Sequence, residues 1–290
     1  VLISSVLNIV LDVVLIAGFH MGVAGAAAAT AIAQFCSCVF CIAYLYPRRA
    51  SFGFDFQLAH LRLDGPLAWE IVKLSVPLAI SNLAISFSML YVTAYINGYG
   101  VAASIVNGVG TKLQGVMSIV TFAMQAAVAT FVGQNVGARR TDRAAASVYW
   151  ALLIEVLFWA VMSAVCLLWP RGVFGLFTKD AEVLALAKPY FKIAVWMYLA
   201  SSLMSPFLGL INGVGRTAYN LVASLLDSVV ARVGLSVLFG MVFGLGLRGY
   251  WIGSALAGYV SVIIGAVFFF AGRWRTYSLI TPGEKADVGC

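Results

Sequence analysis

Charged residues are scarce in this chain: Asp, Glu, Lys and Arg together make up 10% of its 290 residues, against about 25% in soluble proteins. Hydrophobic residues make up 62%. Only two histidines occur, and there is no Gly-x-x-x-x-Gly-Lys-Ser/Thr loop, so neither a histidine-rich metal centre nor ATP binding is predicted. The scarcity of charged residues and the high share of hydrophobic ones exclude a soluble domain. They predict an all-α membrane protein that crosses the bilayer several times, with no enzymatic activity and no cofactor.

The net charge of +7 does not come from one basic patch. The lysines and arginines lie in short connections between apolar runs, so the pattern indicates membrane topology and not nucleic-acid binding. Three of the five cysteines, Cys36, Cys38 and Cys41, share one apolar helix far from either histidine. A metal site and reduced thiols that pack as small apolar groups both fit these three, and we predict reduced thiols.

Eight apolar runs have the length of membrane-spanning helices or come close to it. The first run is short, and the fourth is long enough to extend beyond the bilayer. The positive-inside rule places the C-terminus in the cytoplasm, because most basic residues then lie on the inner side. The runs cover approximately residues 1–17, 22–46, 71–97, 102–137, 143–169, 185–213, 217–244 and 247–272.

A long polar connection divides these runs into two groups. Phenylalanines and leucines alternate in it with charged residues, which predicts a segment at the inner membrane interface. A linker between two bundles and an ordinary loop both fit this segment. We predict that residues 1–46 end an N-terminal lobe, that 47–70 form a cytoplasmic linker between lobes, that 71–273 form a C-terminal lobe and that 274–290 form a cytoplasmic tail.

The end of the chain repeats the order of features at its beginning. An apolar helix, a Gly-x-x-Gly connection and a helix of small residues occur around Ser5–Asn8 and Gly22–Gly25, and again around Ser224–Asp227 and Gly246–Gly249. The repeat unit is then six helices. Because six is even, both copies cross the membrane in the same direction, as in transporters with parallel repeats. This predicts a twelve-helix protein with four helices before Val1.

Asp12 is the only formal charge in the first 47 residues. A carboxylate inside an apolar helix is costly, so a functional role is favoured over a packing role. Asn8 lies one turn earlier on the same face, and Thr30 reaches a similar depth in the next run. Together they could supply amide, carboxylate and hydroxyl oxygens to Na⁺, and the carboxylate could instead take up a proton. The residues do not decide between the two ions.

Four further ionisable residues lie inside the predicted spans. Asp227 and Arg232 are five residues apart, about 140° around an α-helix, so they are not expected to pair. Charge balance suggests ion pairs between helices, such as Arg232 with Glu155, and Lys112 is a further candidate. Asp227 is the better functional candidate because it matches Asn8 in the repeat. Uncharged polar residues that suit either a substrate cavity or hydrogen bonds between helices are Gln34, Asn82, Tyr91 and Gln125.

Three stretches resemble a known transporter family. Residues 131–138, followed by arginines, resemble the Gly-Gln-Asn-x-Gly-Ala signature of multidrug and toxic compound extrusion (MATE) transporters. Residues 8–12 and 22–27 resemble the family's fifth and sixth helices, and residues 212–216 resemble the loop before its eleventh helix. The three agree in order, so the chain would correspond to helices five to twelve. The signature residues are Gly133, Gln134, Asn135, Gly137 and Ala138.

The resemblance implies two six-helix lobes and export of organic, often cationic, compounds across the cytoplasmic membrane in exchange for H⁺ or Na⁺. We expect a monomer in contact with membrane lipids. In the archaeal and DinF-type branches, the coupling site combines a first-helix Asp with Asn, Asp and Thr, which match Asn8, Asp12 and Thr30. A NorM-type second-lobe site is not predicted, because its acids have no match in 71–97 or 185–213. The alternatives are a related flippase of lipid-linked or saccharide precursors and a membrane scaffold without transport.

Overall fold

The computed structural model describes residues 2–48 and 65–276, and the chain divides into two compact units, Val1–Ala68 and Trp69–Cys290. Every regular element in the described ranges is a helix. Seven of these helices are long and apolar enough to cross a membrane, and a shorter apolar helix lies at Ile3–Gly18. The predicted all-α membrane fold with about eight spans is therefore confirmed.

The first unit is built from two helices that pack against each other. α1 (Leu2–Asp12) continues as a π-helix (Val13–Gly18), and α2 (Gly22–Leu45) contacts both. Side chains spaced by four residues lie on one face of a helix, and a stripe of small ones lets membrane helices approach closely. The buried residues of α2 form such a stripe: Gly25, Ala29 and Ala33.

The rest of the described chain contains eight α-helices, of which α7 is the most buried membrane span. α7 packs against α4, α5 and α10. The core around it contains large side chains such as Phe191 and Tyr198, both with no exposed surface. The helices are α3 (Gly65–Asn97), α4 (Val101–Gly137), α5 (Thr141–Leu168), α6 (Pro170–Gly175), α7 (Ala181–Gly213), α8 (Thr217–Leu225), α9 (Gly234–Val237) and α10 (Gly246–Phe270).

α4 and α7 cross with their backbones almost in contact. A Cβ atom added at Gly209 would lie 2.8 Å from the carbonyl oxygen of Gln125, and one at Gly213 would lie 2.6 Å from that of Ala129. The two glycines are four residues apart and share one face of α7. This spacing is the small-xxx-small pattern by which membrane helices approach closely. The crossing therefore has room for glycine alone at both positions.

The span from α8 to residue 242 alternates between two kinds of helical winding. Two π-helices, Leu226–Val233 and Leu238–Val242, flank the short α9. A π-helix has hydrogen bonds from residue i to residue i+5, so side chains five residues apart come onto the same face. This winding brings the side chains of Asp227 and Arg232, which are five residues apart, onto the same face of the helix.

The predicted internal repeat is present in the backbone. Each copy has a π-helix that ends just before a connection with two left-handed residues, His20 and Gly22 in the first and Gly244 and Gly246 in the second, all with φ between 54° and 67°. The second left-handed residue of each connection, Gly22 or Gly246, starts the following helix. Each connection also closes with the same wide backbone hydrogen bond, from Met21 N to Leu15 O and from Leu245 N to Phe239 O.

The observed helices follow the predicted runs with three differences. α3 begins at Gly65, so the last residues of the predicted linker are helical, while residues 49–64 lie outside the described residues. α6 has no counterpart among the predicted runs, and it begins at Pro170, a residue suited to a first helical position. Trp274, predicted as tail, is fully buried and donates its Nε1–H to the carbonyl oxygen of Phe269 over 3.0 Å.

Candidate functional site

The structure brings two of the three predicted cation-coupling residues into contact. The Nδ2 of Asn8 on α1 donates to the Oγ1 of Thr30 on α2 over 3.3 Å. The Thr30 hydroxyl donates its own hydrogen to the carbonyl oxygen of Ala26, 3.0 Å away. Because a hydroxyl has a single hydrogen, Thr30 accepts from Asn8, and the Asn8 side chain must present its NH₂ to it. The amide oxygen of Asn8 then remains free of this contact.

Asp12, the third member, ends α1 where the helix widens into the π-helix Val13–Gly18. Its Oδ1 is buried and has no hydrogen-bond partner among the described residues. A buried carboxylate oxygen without a partner is costly, and a bound cation or proton would remove that cost. Such π-helical turns occur frequently at functional sites.

A cavity of about 240 Å³ lies within the second unit. Thr93 of α3 and Arg232 of the π-helix Leu226–Val233 belong to its lining. Three polar residues of α4 also line it, and their spacing places them on one face of that helix. They are Asn107, Thr111 and Gln114. These three residues were not among those predicted from the sequence, although a polar stripe at helical spacing in an apolar run is a signal that predicts a cavity.

The lining of this cavity contains none of the five predicted cavity residues. Gln34 belongs to the first unit, where it is exposed. Asn82 and Tyr91 are exposed on α3, and the Tyr91 hydroxyl is hydrogen-bonded to that of Tyr95 over 2.9 Å. Gln125 lies at the crossing of α4 and α7. The fifth residue, Asp227, is buried beside the cavity-lining Arg232.

Asp227 and Arg232 form an ion pair. The Arg232 Nη2 donates to Asp227 Oδ1 over 3.1 Å. The single hydrogen of the Ser261 hydroxyl is shared between Asp227 Oδ2 at 3.3 Å and the carbonyl oxygen of Ala223 at 3.2 Å. The prediction that these two residues do not pair is wrong, because it assumed α-helical winding. The segment is π-helical, which brings residues i and i+5 together. The suggested pair of Arg232 with Glu155 is not found among the described residues, where Arg232 is paired with Asp227.

Glu155 and Lys112 form no ion pair with any described residue. Glu155 is fully buried in α5, and its Oε2 has no partner among the described residues. Its Oε1 lies 3.4 Å from the Ser205 hydroxyl, whose single hydrogen is shared with the carbonyl oxygen of Thr121 at 2.7 Å. Lys112 is exposed on α4, and its Nζ lies 5.5 Å from the centre of the Phe177 ring, a cation–π distance. Four of the cysteines, Cys36, Cys38, Cys41 and Cys166, are free thiols.

Comparison with known proteins identifies the family. The MatE family profile matches residues 77–238, more than half of the chain. The chain belongs to the MatE family. The resemblance seen in the sequence is thereby confirmed, and the family is one of membrane transporters.

Two MatE relatives carry names that refer to drug resistance or export. The "Probable multidrug resistance protein NorM" of Thermotoga maritima is 24% identical over 294 residues, which cover 99% of this chain and 62% of that protein. The "Multidrug export protein MepA" of Staphylococcus saprophyticus is 25% identical over 244 residues, which cover 83% of this chain and 53% of that protein. The chain thus spans somewhat more than half the length of these relatives.

Solved structures share the fold. One is a MOP superfamily transporter from Pyrococcus furiosus, whose binding pocket is described as having reverse polarity. It superposes with a TM-score of 0.83 at 23% identity, over 94% of this chain and 60% of that one. A crystal structure of MATE in complex with MaL6 gives a TM-score of 0.82 at 23% identity, over 94% and 61% of the two chains. At this identity the likeness shows the MatE fold alone.

The signature residues end a helix in this MatE chain. Gly133 lies where α4 passes α7, since a Cβ there would be 3.3 Å from the carbonyl oxygen of Gly213. The Arg140 amide donates to the carbonyl oxygen of Asn135 over 2.7 Å, which closes α4 beyond the left-handed Arg139. α7 ends the same way before the left-handed Gly215. The signature therefore positions the end of α4 against α7 and contributes no residue to the cavity lining.

The stability of the second unit of this MatE chain is expected to depend on the Asp227–Arg232 ion pair. Asp227→Asn is expected to destabilise the second unit by up to about 3–5 kcal/mol, because it leaves a largely buried guanidinium without its carboxylate. Adding Arg232→Gln should recover much of that loss, since both charges are then absent. Thermal unfolding of the purified protein in detergent measures the cycle. Additive losses from the two single variants would contradict the pair.

Proposed function

We propose that this chain acts as a cation-coupled antiporter, which exports organic compounds across the cytoplasmic membrane in exchange for H⁺ or Na⁺. Its C-terminus would face the cytoplasm, as the distribution of basic residues suggests. The protein would work as a monomer in contact with membrane lipids. Membership of the MatE family and the drug-export names of its relatives support the direction and the class of transport.

The observation that carries the proposal is the unpartnered Oδ1 of Asp12, one helical turn after Asn8, which is hydrogen-bonded to Thr30. Each of the three side chains carries an oxygen atom that can ligate a hard cation such as Na⁺. A proton on the carboxylate would also remove its buried charge. Asp12 would bind the ion, and Asn8 and Thr30 would act as positioning residues or as further ligands.

Coupling follows if ion binding changes the relative stability of two conformations. A cation on Asp12 neutralises a charge that is costly in the membrane, so it would stabilise whichever state buries Asp12 more deeply. The π-helix that begins at Val13 is a suitable place for such a change, because its hydrogen-bond ladder departs from α-helical geometry. Release of the ion on the other side of the membrane would then return the protein to the first state.

The flippase alternative fits the cavity less well. A pyrophosphate headgroup carries several negative charges and would call for several cations. Arg232 is the one charged residue in the lining of the second-unit cavity, within the described part of the chain. Lys112, the other basic residue considered, lies over Phe177.

Transport in proteoliposomes tests the proposal. The purified protein is reconstituted, and a Na⁺ gradient and a pH gradient are imposed separately while movement of a fluorescent organic compound is followed. Uphill movement with one of the two gradients, abolished by an ionophore that dissipates it, is the expected result. Absence of transport under both gradients would favour the membrane scaffold instead.

A further inference from the structure

The cavity of the second unit presents one formal charge, and that charge is positive. Arg232 is the charged residue among those that line it, and the rest of the lining is apolar or uncharged polar. Asp227, whose Oδ1 accepts a hydrogen bond from Arg232, is only 3% exposed and does not belong to the lining. An ammonium group in the cavity would therefore meet a cation and find no available carboxylate in the described lining.

Two donors of the lining have no acceptor. The Arg232 Nε and the Trp251 Nε1 are both buried and without a hydrogen-bond partner among the described residues. Trp251 is 6% exposed, so its indole N–H is removed from bulk water. Buried donors are nearly always paired, and each unpaired one costs about 1–3 kcal/mol. An acceptor group on a bound molecule would remove that cost.

The guanidinium of Arg232 has capacity beyond its ion pair. Arginine carries five N–H donors in a planar fork, and the hydrogen bond to Asp227 uses only Nη2. Asp227 therefore holds the guanidinium in place without saturating it. A carboxylate matches the fork geometry of the remaining donors, and a charge-assisted hydrogen bond is about twice as strong as a neutral one.

Gln114 gives the cavity a matching acceptor. Its Nε2 donates to the Ser201 hydroxyl over 3.2 Å, and that hydroxyl donates to the carbonyl oxygen of Met197 over 3.2 Å. Because the Ser201 hydrogen is already used, Gln114 must present its NH₂ there, and its Oε1 has no partner among the described residues. A ligand with an N–H or O–H donor beside its carboxylate would satisfy Oε1 as well.

We propose that this cavity binds organic molecules with an apolar or aromatic body and one carboxylate, which Arg232 and Trp251 hold by hydrogen bonds. The aromatic ring of Tyr190, edge-on to Trp251 at 5.1 Å, forms part of the apolar lining. The proposal that the cavity binds such molecules is independent of the proposed function. The proposal that the protein transports them rests on the proposed function. The substrate class is then organic acids and zwitterions.

Calorimetric binding to the full chain in lipid nanodiscs tests the proposal with three matched probes. These are 2-naphthoate, its methyl ester and 2-naphthylmethylammonium, each corrected with empty nanodiscs. The carboxylate is expected to bind about tenfold more tightly than the ester, because it adds charge-assisted hydrogen bonds. The ammonium is expected to bind more weakly than both. Equal or tighter binding of the ammonium, or no saturable binding of the carboxylate, would overturn the proposal.

Variants assign the preference to named residues. Asp227→Asn together with Arg232→Gln removes both charges and should abolish the preference for the carboxylate while ester binding stays. Trp251→Phe keeps an aromatic ring but removes the indole N–H. It should weaken the binding of the carboxylate probe several-fold. The control Arg248→Gln, at an exposed arginine outside the lining, should retain the preference. A carboxylate preference that survives in both cavity variants would contradict the assignment. Failure of proteoliposome transport with this preference intact would count against the proposed function only.

Discussion

We expect the substitution Asp12→Asn to abolish uphill transport while the protein stays folded. Asparagine keeps the size and the hydrogen-bonding capacity of aspartate but cannot carry a negative charge or release a proton. The ion would then have no carboxylate to neutralise, so an imposed gradient could no longer shift the conformational equilibrium. Uphill accumulation in proteoliposomes should fall to the level of protein-free vesicles, whereas the unfolding temperature should remain the same or rise.

The matched control for this experiment is Asp142→Asn. Asp142 lies in the first turn of α5 with 97% of its side chain exposed, and the Nη1 of Arg275 is 3.8 Å from its Oδ1. The same chemical change there should leave transport intact, because exposed pairs contribute little. Thr30→Ala should have a smaller effect than Asp12→Asn, since it removes the Asn8 contact and no charge. Normal rates and normal ion dependence in the Asp12 variant would show that Asp12 is structural.

The second large effect is expected at the crossing of α4 and α7. Gly213→Leu should prevent the second unit from folding, because even the first carbon of a side chain would lie 2.6 Å from the carbonyl oxygen of Ala129. Gly213→Ala should destabilise by about 1–3 kcal/mol, the usual cost of overpacking a tight core. Yield of monodisperse protein in detergent measures the first change, and thermal unfolding measures the second.

Gly115 on α4 provides the matched control for the glycine series. It is exposed, and a Cβ at this position would meet nothing within 4 Å. Gly115→Ala should therefore be neutral or stabilise by up to about 1 kcal/mol, since alanine is the better helix former. If Gly115→Ala and Gly213→Ala lowered stability equally, the loss would come from something other than the close crossing.

The spans could be predicted because they follow from hydrophobicity alone. Long uncharged runs set where helices form, and left-handed connections marked by glycine set where α2 and α10 begin. The contact between Asn8 and Thr30 also followed from the sequence, since equal depth on consecutive helices limits the distance between their side chains. Family membership was recognisable from the Gly133–Ala138 signature, although the structure assigns those residues to a helix end.

The ion pair could not be predicted, because helical winding is not visible in hydrophobic periodicity. A five-residue spacing separates Asp227 and Arg232 on an α-helix and joins them on a π-helix, and the sequence of Leu226–Val233 contains no residue that decides between the two. The cavity was missed for a related reason. Its polar residues come from four helices, and only the stripe on α4 is local enough in sequence to be seen.

In the proposed exchange, a carboxylate bound by Arg232 would also change how much charge crosses the membrane in each cycle. If Arg232 takes a monovalent carboxylate outward while Asp12 brings one cation inward, two charges move in the same electrical direction. Export of a monovalent organic cation in the same exchange would move none. Each charge gains about 2.3 kcal/mol per 100 mV, so the first cycle gains about 4.6 kcal/mol per 100 mV. With the cell interior negative, membrane voltage alone would drive organic acids out, even where the concentration of the coupling ion is equal on both sides.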